Sequence, residues 1–249
     1  MKIIISPAKK MNIDTDTFGC PNLPVFLERT KELTHYIQSL SFEEAKALWG
    51  CNDKIATQNF ERFAEMDLER NLTPAILSYE GIQYQYMSPL VFSEHALSYI
   101  QNHLRILSGF YGILKPFDGV VPYRMEMQAK ASVSGHKDLY DYWGSSLYDV
   151  LTSDGDSVIL NLASKEYSKC IEKYLKPTET NITCIFCEEK NGKVVQKGTF
   201  AKMARGEMVR YLAENEITTL EDVKKFKGLD YTYSEKFSKE KEFVFVKNS

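Results

Sequence analysis

Ile182-Thr-Cys-Ile-Phe-Cys-Glu-Glu-Lys-Asn-Gly-Lys-Val-Val-Gln-Lys-Gly-Thr-Phe200 decides the fold class. Two strand-like runs flank Asn191-Gly192, the pair a type I′ turn favours because both central residues take positive φ. The stretch predicts an antiparallel hairpin. Downstream, a helix is expected from Ala201 to about Glu214. A capping box at Thr218-Thr219-Leu220-Glu221 then opens a short helix, and Phe243–Val246 reads as a last strand. Upstream, Val158–Leu162 reads as a buried strand, with Ser164 capping a helix to about Tyr174.

The first half continues the alternation. Lys2–Ile5 is a β-branched strand ended by Ser6-Pro7, and the chain turns helical after Pro24. Ser41-Phe42-Glu43-Glu44 is a capping box, and Asn52-Asp53 caps a further helix to about Met66. Ala75–Tyr79 reads as a strand broken by Gly81. Ser93 caps a helix with Leu97, Ile100, Leu104 and Leu107 spaced three and four apart, ending at Ser108-Gly109. Residues 111–122 read as loop and Asp138–Leu151 as helix. No repeat or linker interrupts the pattern. The expectation is one mixed α/β domain over residues 1–249, a central sheet surrounded by helices.

With 43% hydrophobic and 12% aromatic residues in 249, the composition excludes a disordered chain, and a net charge of −3 excludes a polybasic one. No apolar run approaches the ~18–20 residues of a membrane span. The N-terminus lacks a signal-peptide pattern, so a cytosolic protein without membrane partners is expected. Five cysteines, an odd number, read as free thiols. Cys184 and Cys187 lie three apart on a strand, so their sulfurs diverge, and His35, His95, His103 and His136 have no ligand spacing. Neither a metal nor a cofactor is expected. P-loop, G-x-G-x-x-G and G-x-S-x-G motifs are missing.

Three features remain. Gly109 and Gly112 bracket Phe110-Tyr111 after the expected helix, where bare amides approach a phosphate or the glycines simply cap and turn. An extended 123–127 segment would put Arg124 and Glu126 on one face, as a pocket pair or a structural ion pair. Lys190, Lys193, Lys197, Lys202, Arg205 and Arg210 face only Glu207 in the same stretch. Helical spacing sets Lys202, Arg205, Gly206 and Arg210 on one side and Ala204, Met208, Tyr211 and Leu212 opposite. That side is either a polyanion-binding face or a solvated one.

Taken together, these segments resemble the YaaA family of peroxide-stress-resistance proteins. The matching strings are Ile5-Ser-Pro-Ala-Lys9, 103–116, Pro122-Tyr-Arg-Met-Glu126, Lys137-Asp-Leu-Tyr140 with Trp143-Gly144, Asn161-Leu-Ala-Ser164 with Glu166-Tyr167, and Ala201-Lys-Met-Ala-Arg-Gly206. Lys10-Met11 stands where relatives often carry Thr-Leu. The resemblance implies a family-specific α/β fold with a helix-hairpin-helix-like element and a basic cleft. It also implies binding to duplex and branched DNA, and protection against hydrogen peroxide and iron-dependent damage.

Joined to the residue reading, it makes Gly109–Gly112 the hairpin. Lys9, Arg105, Gly109, Gly112, Lys115, Arg124, Lys202, Arg205 and Arg210 become the DNA contacts. The competing class is an enzyme acting on a base or abasic site, glycosylase- or lyase-like. Its candidates are Lys9, Tyr111, Arg124, Glu126, Asn161, Ser164 and Lys202, with a lysine Schiff base and a flipped nucleotide against Tyr111 or Trp143. Iron binding ranks last, since no ligand cluster has the spacing.

Overall fold

The computed structural model describes residues 1–248. Lys2–Ile5 (β1) is buried at every position, which suits a strand covered on both faces. It lies inside an eight-stranded sheet with Leu104–Ser108 (β2), Gly112–Leu114 (β3), Val158–Asn161 (β4), Thr180–Lys190 (β5), Lys193–Val195 (β6), Tyr231–Tyr233 (β7) and Glu242–Lys247 (β8). The order is β7-β8-β5-β4-β1-β2-β3, with β6 paired to β5. Neighbours from β8 to β2 run parallel, whereas β3, β6 and β7 each pair antiparallel. The α/β expectation holds.

Helices Leu27–Gln38 (α1), Phe42–Trp49 (α2), Asp53–Ala64 (α3), Ile82–Met87 (α4) and Glu94–His103 (α5) belong to the crossover from β1 to β2. Lys165–Glu172 (α6) follows β4, and Gly198–Glu214 (α7) follows the hairpin. Ser41 and Glu44 form the reciprocal box at α2, and Asn52 accepts the Ile55 N–H at 3.0 Å. The crossovers from β1 to β2 and from β4 to β5 leave the β1/β4 border in opposite directions. Such a reversal opens a crevice beyond the carboxyl ends of the two strands.

Several expectations are corrected. The helix begun at Ser93 stops at His103, and Leu104 and Leu107 sit in β2. A strand buried on both faces extends the apolar spacing of a preceding helix, and periodicity alone does not separate them. Gly109–Gly112 therefore has no helix on either side; it is the turn between β2 and β3, with Ser108 paired to Gly112. The Ser108 hydroxyl accepts the Phe110 and Tyr111 N–H groups, so this turn is no helix-hairpin-helix and those two amides are already bonded. Ala75–Ser78 is a helical turn rather than a strand, and its first amides, those of Ala75 and Ile76, donate to the Asp118 and Pro116 carbonyls across the fold. Residues 111–122 contain β3, and Gly119–Val120 pairs with Thr73–Pro74. The helix expected over 138–151 is split at Gly144 into Leu139–Trp143 and Ser146–Leu151. The late cap is Thr219, one residue beyond the expected Thr218, accepting from the Asp222 N–H. Cys184 and Cys187 are buried free thiols, as a strand covered on both faces requires. Among the described residues no helix is long and apolar enough to cross a membrane.

Candidate functional site

A cleft of about 390 Å³ occupies the crevice beyond β1 and β4. Its floor is built where the two strands end. Ser6, after β1, accepts the Ser164 N–H on its hydroxyl at 2.8 Å, and the two hydroxyls lie 3.2 Å apart. Tyr84 of α4 donates to the Ser6 carbonyl at 2.9 Å, tying the wall helix to the floor. Ser164 caps nothing with its side chain; its expected capping role is replaced by this junction.

One wall is the extended segment Tyr123–Glu126, and Gly109 decides how close it comes. A Cβ at Gly109 would lie 2.7 Å from the Met125 oxygen and 2.8 Å from the Glu126 carbonyl carbon. Only glycine leaves room for that backbone contact. Glu126 then receives Lys9 at 2.9 Å on one oxygen and Arg124 at 3.1 Å on the other. Behind it, Tyr123 Oη stands 2.6 Å from Ser108 Oγ and 2.9 Å from Tyr79 Oη. Burial pushes the Tyr123 phenol up to about 12 and raises those of Tyr84 and Tyr167, so all three keep their protons at neutral pH.

The opposite wall comes from α4 and α7. Gly206 lets α7 cross directly over the Gln83 carbonyl, placing Lys202 and Arg205 beside Gln83. Five cationic side chains, Lys9, Lys10, Arg124, Lys202 and Arg205, face three carboxylates, Glu80, Glu126 and Glu166. Lys10 is held by Glu80 at 2.7 Å. Among the described residues Lys202 and Arg205 form no ion pair, so the positive excess rests on them. Burial raises the Glu166 carboxyl, and repulsion from Glu126 adds to this; the Gln128 N–H, 3.3 Å away, pulls the other way.

The structure thus brings together Lys9, Arg124, Glu126, Ser164, Lys202 and Arg205, and it separates the other candidates. Gly109, Gly112, Tyr111 and Trp143 are buried in the core, and the Trp143 indole donates to the Gly109 carbonyl at 3.0 Å. None of the four is a surface for DNA or a platform for a flipped base. Asn161 is buried, donating to Thr183 at 3.1 Å and accepting the Ala163 N–H at 2.9 Å, which fixes the end of β4. Arg210 is paired with Glu214 at 2.8 Å. The expected cationic face of α7 is not a continuous one: Gly206 is buried and Arg210 is paired, while Lys197, earlier in the same cationic run, pairs with Glu188 across the hairpin. Lys9 and Lys202 are exposed, without the desolvation that activates an amine for a Schiff base. Ser6, Gln83, Tyr84, Tyr123, Glu166 and Tyr167 add further polar groups to the lining. Ser6, Tyr123, Glu166 and Tyr167 lie within the family-like strings, whereas Gln83 and Tyr84 carry no signal in sequence.

Arg105 and Lys115 lie in a separate depression with Asp118. Burial pushes the Asp118 carboxyl up to about 6, opposed by its bond from the Lys115 N–H at 2.8 Å and by nearby Arg105. The unfolded chain loses this proton near pH ~4. Between those values the fold holds the extra proton, so stability falls as pH rises and levels off above 6. Asp118→Asn is expected to remove a decline of about 2–3 kcal/mol between pH 4 and 6. Urea denaturation of both proteins across that range checks it; parallel pH profiles would contradict the assignment.

A family profile described as "Peroxide stress protein YaaA" matches residues 1–237. The chain is 58% identical over 247 residues to a UPF0246 protein of Lachnoclostridium phytofermentans, covering 99% of this chain and 96% of that one. It is 56% identical over 245 residues to a UPF0246 protein of Agathobacter rectalis, covering 98% of both. Among the described residues no group of three or more His, Cys, Asp or Glu is arranged to hold a metal ion.

Proposed function

The chain belongs to the peroxide stress protein YaaA family, and we propose that it serves that response by binding DNA with little sequence preference. The observation that carries this reading is the cationic excess of the cleft and its rim, with Lys202 and Arg205 uncommitted. Phosphate contact requires cations and amides but no base-reading side chains, which fits such a lining. A cleft of about 390 Å³ is small for a duplex and suited to a group the size of one nucleotide. The duplex would rest on the rim lysines, Lys9, Lys10 and Lys202, while an unpaired nucleotide enters between the walls. Any reaction on that nucleotide would fall to Glu166, half-buried and close to Glu126, rather than to a lysine.

Fluorescence anisotropy with labelled duplexes of unrelated sequence, across a salt series, tests the reading. Affinity is expected to fall steeply with salt and to vary little with sequence. Lys202→Ala is expected to lower the slope of log affinity against log salt by about 0.9, the value of one phosphate contact. Binding that ignores salt, or that selects a single sequence, would overturn it.

A further inference from the structure

Four side-chain nitrogen donors among the described residues are buried without a hydrogen-bond partner, and three of them line the cleft: Gln83 Nε2, Arg124 Nε and Arg205 Nε. Buried donors are rarely left unpaired, and clustering of three in one cavity marks a missing acceptor. Arg205 is the most demanding. It makes no ion pair among the described residues, and every carboxylate of the cleft is engaged elsewhere: Glu80 by Lys10, Glu126 by Lys9 and Arg124, Glu166 by the Gln128 amide. Cys184, its neighbour from β5, is kept a neutral thiol by burial and so supplies no counter-charge. A desolvated guanidinium without an anion is costly to the fold.

The contact between α4 and α7 sets Arg205 and Gln83 side by side, since Gly206, the next residue, sits on the Gln83 carbonyl. Their orphan nitrogens are sealed from solvent, and Gln83 is only 7% exposed. A phosphodiester continues on both sides and needs two exits. Donors this deeply buried suit a group that terminates against them.

We propose that this end of the cleft is a receptor for a phosphate monoester, bound by Arg205 and Gln83, with Arg124 at its side and Lys202 at the mouth. Resting on the DNA reading above, the proposal makes the protein a binder of phosphate-bearing strand ends, such as those left when a strand breaks. The same chemistry is offered by a free nucleoside monophosphate, and the experiment separates the two sources. A planar fork matches phosphate oxygens in a way an ammonium does not, which suits an arginine among the buried donors.

The test compares four probes on the wild-type protein and on Arg205→Met: closed circular duplex, a nicked duplex with a terminal 3′- or 5′-phosphate, the same nick with hydroxyls only, and a nucleoside monophosphate in a thermal-shift assay. The expected result is at least tenfold tighter binding to a phosphorylated nick than to a hydroxyl nick, lost in Arg205→Met. Without ligand, Arg205→Met is expected to melt no lower than wild type, because it removes an unpaired buried charge. A purely structural arginine would show the opposite, a lower melting temperature with the end preference intact, and would overturn the proposal. If Arg205→Met does not fold, Gln83→Met carries the same comparison. Equal affinity for both nicks and the closed circle would also overturn it, while leaving DNA binding standing. No binding to any duplex, with a melting shift from the monophosphate in wild type alone, would keep the receptor and overturn the DNA reading.

Discussion

Gly206→Ala is expected to destabilise the protein by about 3 kcal/mol or more, lowering the melting temperature by roughly 6–12 °C. The added Cβ would overlap the Gln83 carbonyl oxygen and lie 2.9 Å from its carbon and 3.0 Å from the Met87 nitrogen. These are backbone atoms of α4, so no side chain can turn aside. Alanine gains about 1 kcal/mol over glycine in helix propensity, and the clash outweighs it. Gly198, at the start of the same helix, has nothing within 4 Å of the corresponding position. Gly198→Ala is therefore the control, neutral or mildly stabilising. Calorimetry on both variants decides; equal melting temperatures would mean that α7 does not press on α4.

Glu126→Gln should have opposite effects on stability and on DNA affinity. The amide oxygen still accepts from Arg124, so the fold loses about 1–3 kcal/mol, the worth of a charge-assisted contact, rather than the larger cost of stranding a charge. Removing the carboxylate frees Lys9 and leaves the cleft more positive. Binding to duplex DNA at low salt is expected to tighten about tenfold, with the salt slope steeper by roughly 0.9–1.8. Urea denaturation and salt-series anisotropy on one preparation measure both. A fall in affinity would mean that Glu126 contacts the ligand itself, as a pocket carboxylate rather than a clamp on the cations.

What the sequence makes legible is what local chemistry decides. Asn191 and Gly192 take φ of 53° and 75°, the turn their identities demand, and the Ser41 box needs only four consecutive residues. The parallel order around β1 is not legible, because pairing of Ile3 with both Leu104 and Leu160 depends on partners a hundred or more residues away. The same division holds at the site. Lys9, Arg124, Glu126, Ser164, Lys202 and Arg205 are chemically suggestive wherever they fall. Gln83 is an ordinary polar residue on a short helix, and only the crossing of α7 over α4 makes its amide significant. The cationic run from Lys190 to Arg210 misleads for a related reason: a count along the chain does not see Glu188 facing Lys197 across a hairpin.

The Ser108 hydroxyl behind the Tyr123 wall has a fixed electrical sense. Ser108 Oγ receives hydrogens from two amides, Phe110 and Tyr111, and these fill both of its lone pairs. Its own proton is left one direction, toward Tyr123 Oη. Tyr123 Oη, accepting from Ser108, shares a further hydrogen bond with Tyr79 Oη, in which either hydroxyl can donate. A rotor that would be free in water is thus locked at the head of a hydroxyl row that runs from the β2–β3 turn toward the strand pair of Tyr79 with Met11. Reversing the Ser108 hydroxyl requires an amide of that turn to let go. A ligand entering the cleft meets a wall backed by one hydroxyl dipole already oriented, and that dipole needs no reorientation.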